Sequence, residues 1–172
     1  MLVAQQKGYL PDSIQKLDLS LVRGKLEERA RLGREVPVPP VPLSLLDEAI
    51  EDYRHFWALN LRYPGFPIVP SETIDEVWHQ HILFTQQYAA DCAAIFGEFR
   101  HHVPHFGRAQ RNLEEDKRLL CNTLELWAKE YGAIPASYDG MTALTCEGGW
   151  SGNVDLTGSF LSWEAQALIL RA

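Results

Sequence analysis

The sequence is poor in the features that usually announce a function. It has three cysteines, Cys92, Cys121 and Cys146, scattered and with no CxxC pair. That set excludes a disulfide scaffold or a zinc ribbon and points to a reducing compartment. No apolar run approaches the roughly 20 residues that a membrane-spanning helix needs. The start, MLVAQQKGYLPDS, lacks the apolar core of a secretion signal. The expected location is therefore cytoplasmic, with no membrane partner. Positive charge is in deficit, with 16 Lys and Arg against 23 Asp and Glu and a net charge of −7. Such a chain lacks the global field that nucleic acids require, so nucleic-acid binding is disfavoured. There is no GxSxG, no P-loop and no internal repeat. CEGGWSG (146–152) has glycines but no lysine and no preceding strand, so it reads as a loop.

What is present fits one all-α domain. Of the 172 residues, 46% are hydrophobic and 23% charged, enough to bury a core and too balanced for disorder. Residues 1–12 read as a loose lead-in. Residues 17–32 carry Leu17, Leu21, Leu26 and Ala30 on one helical face. The basic stretch from Arg23 to Arg34 is interleaved with Glu27 and Glu28 and reads as a solvated face. REVPVPPVP (34–42) is an extended, proline-stiffened connector. A broad apolar stripe over 43–61 includes Leu46, Ile50, Tyr53, Phe56 and Trp57. YPGFPIVP (63–70) stops that helix, and Ser71 is a suitable N-cap for the next. The pattern then predicts one long helix over about 71–96, apolar around much of its surface, as the centre of a bundle of about four helices. A fourth helix begins near Asn112 and ends at Gly132. The expected division is a helical domain over 1–135 and an irregular Gly/Ser/Thr-rich tail over 136–172.

All six histidines fall between His55 and His105, concentrated in WHQHIL (78–83) and HHVPH (101–105). Imidazole is the commonest metal ligand and titrates near neutral pH, so the clustering suits a metal or catalytic site. At about 100° per residue, His79 and His81 project about 200° apart and cannot share one ion. Asp75 and His79 are four residues apart, so the carboxylate can orient that imidazole. On the His81 face lie Val77, Phe84, Tyr88, Cys92 and Ile95, so His81, Tyr88 and Cys92 form a polar thread in an otherwise apolar seam. The sharpest site joins His81 and His102, with Cys92 or a third histidine completing the sphere; His79 is a candidate ligand only in place of His81. Asp75, Trp78 and Tyr88 are its supporting residues, and zinc, iron or copper the candidate ions. The alternative reading is a non-catalytic interaction module whose histidines, Tyr88 and Cys92 only hold the core together. The partner is then an unspecified protein, against an unspecified small molecule for a metalloenzyme.

The text LDLSLVRGKL, EDYRHFWALN and VPSETIDEVWHQHILFTQQYAADCAAIFGEFRHHVPHFG resembles the glycine-rich domain-containing protein-like family of plants and bacteria. The resemblance spans 17–107 and falls on Asp75, Trp78, His79, His81, Tyr88, Cys92, Gly97, His102 and Pro104. It implies that these are the functional positions, above His55, His101 and His105. It also implies a suggested RNA-binding role, for which the acidic composition gives little support.

Overall fold

A computed structural model describes residues 8–32, 41–102 and 113–142. The described residues form helices and turns with no strand, as the all-α reading expects. The helices are α1 (Asp12–Gln15), α2 (Ser20–Leu32), α3 (Leu46–Arg62), α4 (Glu72–Leu83), α5 (Thr85–Phe96), α6 (Leu113–Tyr131) and α7 (Asp139–Thr142). Most of the proline connector, His105 with Pro104, Cys146 and 143–172 of the tail lie outside the described residues.

The broad stripe of the third segment makes α3 the hub. It buries Leu46, Ala49, Ile50, Tyr53, Phe56, Trp57 and Leu59, and packs against α1, α2 and α4. Apolar positions spaced by threes and fours cover more than half its circumference, so neighbours can surround it. The described end of the lead-in is packed, not loose: Leu10 enters the core together with Ile14, Leu17 and Leu19. The Gly8 amide also donates to the Glu130 carbonyl of α6 at 2.8 Å. Helix α2 consequently starts at Ser20, whose amide is held by the Asp18 carboxylate at 3.0 Å, and Leu21 points outward. Its basic residues are engaged with acidic ones: Arg23 with Glu27 and Asp47, Lys25 with Glu28, Arg29 with Glu76.

The expected long helix over 71–96 is two helices. At Phe84 the backbone leaves the helical region (φ −85°, ψ 62°), its amide bonding three residues back to His81. The chain then doubles back, as two side-chain bonds prove. Trp78 Nε1 donates to the Tyr88 hydroxyl at 2.9 Å, and His81 Nε2 stands 3.1 Å from Asp91 Oδ2. Residues ten apart on one straight helix would be separated by about 15 Å along its axis. Nor is α5 the centre of the bundle. It buries only Tyr88 and Cys92, and Ala89, Ala90, Ala93 and Ala94 face outward. Alanine raises the apolar count without demanding burial, which is what misleads the pattern.

The start of α4 and the end of α5 are set locally. Ser71 caps α4 as expected, its hydroxyl accepting from the Ile74 amide at 3.2 Å while fully buried. Ser71→Ala should cost about 1–2 kcal/mol, read from urea unfolding at constant slope. A change within a few tenths would show that the cap does not anchor α4. Gly97 ends α5 in the left-handed region (φ 75°), where a glycine is the least strained residue. It turns residues 98–102 back along α4.

The start of the expected tail packs on the helices. A 3₁₀ turn, Ala136–Tyr138, buries Tyr138, whose hydroxyl donates to the Val69 carbonyl at 2.8 Å. Ser137 donates to the Asp52 carboxylate at 2.9 Å. Burial raises the Asp52 carboxyl from the ordinary 3.8 to about 6, against the Ser137 bond and helped by Glu48 and Glu51. A raised carboxyl is neutral to stability below about pH 4 and a growing penalty as pH climbs to 6. Above that the cost is about 3 kcal/mol at most. Asp52→Asn keeps an acceptor for Ser137 and should therefore be more stable than wild type at pH 7, by about 1–3 kcal/mol. The gain should vanish at pH 3.5. Denaturation across pH 3.5–7.5 checks this; a gain constant with pH would refute it.

Candidate metal centre

The α4–α5 fold-back and the Gly97 turn bring two separated pieces of sequence together. Asp75 and His79, one turn apart on α4, share a face, and the returning segment sets His102 beside them. His102 Nε2 lies 2.9 Å from Asp75 Oδ1, and His79 Nδ1 lies 3.2 Å from Asp75 Oδ2. One ligand atom from each of the three residues falls within 4.8 Å of the others. Two atoms each about 2.1 Å from a common tetrahedral ion stand about 3.4 Å apart, a separation inside that 4.8 Å limit. Among the described residues this is the one group of three or more His, Cys, Asp and Glu side chains with such spacing.

The surroundings order the ligands. His79 Nδ1 is 2.8 Å from the Asp75 carbonyl. A carbonyl only accepts, so this nitrogen carries the proton and Nε2 keeps its lone pair. A backbone or carboxylate acceptor behind a histidine is how metal-bound imidazoles are commonly fixed. His102 stacks on the Trp78 indole, centroids 4.3 Å apart and planes within 8°. The His102 side chain is 8% exposed, against 34% for Asp75 and 44% for His79. One flank of the cluster therefore faces solvent while the other rests on an aromatic ring.

His81 lies elsewhere. It is completely buried, lies against Trp57 (centroids 5.4 Å) and meets Tyr53 and Tyr88 edge-on. Burial lowers its pKa against the pull of Asp91, so it is neutral at pH 7. One tautomer then satisfies both nitrogens: Nε2–H donates to Asp91, and Nδ1 accepts from the Tyr53 hydroxyl at 3.0 Å. No lone pair remains for an ion. Cys92 is also in the core, and burial pushes its thiol up, against what a thiolate ligand needs. The expected union of His81, Cys92 and His102 is thus not made. Asp75, expected only to support, stands among the candidate ligands, whereas Trp78 and Tyr88 lie behind the cluster. The split of His79 from His81 by helix geometry holds, but a sequence pattern cannot say which helix face a later segment will cover. The i,i+4 pairing of Asp75 with His79 was the available signal for the face that His102 joins.

A protein-family model matches residues 41–128 and is described as UCP032817-like. The match spans a little over half of the 172 residues. The chain belongs to the UCP032817-like family. This overturns the likeness to glycine-rich domain-containing proteins, since no family of that kind matches. The matched region contains the DEVWHQHIL run, Cys92 and HHVP, so most of the text that suggested the likeness lies within the match to a different family. The RNA-binding expectation came with the earlier likeness and loses that support. No curated protein and no solved structure matches the chain. No helix among the described residues is long and apolar enough to cross a membrane.

Proposed function

We propose that this chain binds one divalent transition-metal ion through Asp75, His79 and His102. The observation that carries the reading is the convergence of two imidazoles and a carboxylate, drawn from a helix face and a separate segment, within 4.8 Å. Without Cys92 the donor set is two nitrogens and one oxygen. That favours zinc or iron(II) and removes the soft sulfur that would have favoured copper(I). Three protein ligands with a solvent-facing flank resemble catalytic rather than closed structural zinc sites, and also the two-histidine, one-carboxylate iron sites. An ion held this way supplies a Lewis acid and an activated water; the chain's own residues supply its orientation. Elemental analysis of protein purified without a histidine tag tests this. The expected content approaches one zinc or iron per chain, removed by a strong chelator and restored on titration. Protein with no such ion and no uptake would refute the reading.

A second reading is favoured by a specific observation. His102 is already stacked on Trp78 and set against Asp75 by contacts that need no ion. On this reading the histidines fasten α4 to the returning segment of an interaction module. It requires a melting temperature insensitive to zinc and chelator alike, whereas specific binding to the folded state raises it with ion concentration.

A further inference from the structure

We infer that Tyr88 is a positioning residue for the Asp75–His79–His102 site, its hydroxyl fixing the segment that delivers His102. This rests on the metal-binding reading above, but its geometry is independent of any ion. The Tyr88 hydroxyl accepts from Trp78 Nε1 at 2.9 Å and donates to the Arg100 carbonyl at 2.6 Å. Three parts of the fold therefore meet at one oxygen: α4 through Trp78, α5 through Tyr88, and the returning segment two residues before His102.

The arrangement controls His102 from both sides. The indole that Tyr88 holds is the platform on which the His102 ring lies. The carbonyl that Tyr88 holds sets the backbone from which His102 projects. Tyr88 itself cannot drift, being 1% exposed and edge-on to His81 and Phe99. Its hydroxyl touches none of the three candidate ligands in these contacts, so its effect on the site is indirect. Burial pushes its pKa well up, which keeps the hydroxyl proton available for the Arg100 carbonyl at ordinary pH.

Tyr88→Phe removes the hydroxyl and keeps the ring. Cobalt(II) alone is the probe, because its visible spectrum reports how many ligands surround it. The wild type should take up cobalt with a strong, low-coordinate spectrum. Tyr88→Phe should bind about tenfold or more weakly, the range for partners that orient a ligand. Its spectrum should shift towards that of His102→Ala. In metal-free protein, the His102 ring protons should lose the upfield displacement imposed by Trp78. A purely structural tyrosine would lower the melting temperature and leave spectrum and ring shift unchanged, which would overturn the inference. If the wild type takes no cobalt, the metal reading falls, and the metal-free His102 signals alone decide whether Tyr88 positions that ring. Should Tyr88→Phe not fold, Trp78→Phe removes the indole N–H while keeping a ring under His102. It should also weaken cobalt binding, and unchanged affinity would count against the inference.

Discussion

Replacing His81 with alanine should lower stability by about 3–5 kcal/mol, the range for emptying a large, completely buried site. The imidazole is fully enclosed by Trp57, Tyr53 and Tyr88. Two further costs add to the cavity. The Tyr53 hydroxyl loses its acceptor in the core, and Asp91 loses the donor that joins α5 to α4. For a chain of this size the melting temperature should fall on the order of 10 °C. The fall should be the same with zinc or with chelator, because both ring nitrogens are already committed. Scanning calorimetry in both conditions checks the claim. A loss under about 1 kcal/mol, or one that depends on metal, would mean that His81 has been assigned the wrong role.

The opposite signature should follow from changing the cluster on the other face of α4. Asp75→Asn removes a charge from a one-third-exposed side chain, so its effect on metal-free stability should stay within about 1 kcal/mol. His102→Ala forfeits the stack on Trp78 and should cost about 1–2 kcal/mol. Both should weaken zinc binding by at least about 100-fold, since each removes one of three ligands from an ion that depends on all of them. Competition against a chromophoric chelator measures this directly. Cys92→Ala, a change in the core, should leave zinc affinity unchanged once the protein is folded. Equal affinities across wild type, Asp75→Asn and His102→Ala would show that zinc binds elsewhere or nonspecifically.

Much of the helical scaffold can be read from spacing alone. The α3 stripe, the Ser71 cap, and the stops at Gly97 and Gly132 are local signals, and local chemistry sets them. The break at Phe84 is different. The stretch from Glu72 to Phe96 contains no proline or glycine, so nothing in the sequence interrupts the helical period. The break is stabilised by contacts that exist only after folding, Trp78 with Tyr88 and His81 with Asp91. Tertiary pairing overrides propensity here. The same break misleads the reading of the site. On an unbroken helix, His81, Tyr88 and Cys92 make a polar thread that invites a ligand. On the folded hairpin they turn inward together as core. Asp75 and His79 remain on the accessible face, where the segment after Gly97 can reach them. Helix geometry correctly forbids His79 and His81 from sharing one ion, but only the path of residues 98–102 decides between them.

The most direct measurement of the central claim is crystallographic. A crystal of the chain soaked in zinc and measured at the zinc absorption edge should show one strong anomalous peak per chain. It should lie about 2.0–2.2 Å from one atom each of Asp75, His79 and His102. An anomalous map without a peak at that cluster, or with its peak elsewhere on the molecule, would contradict the account.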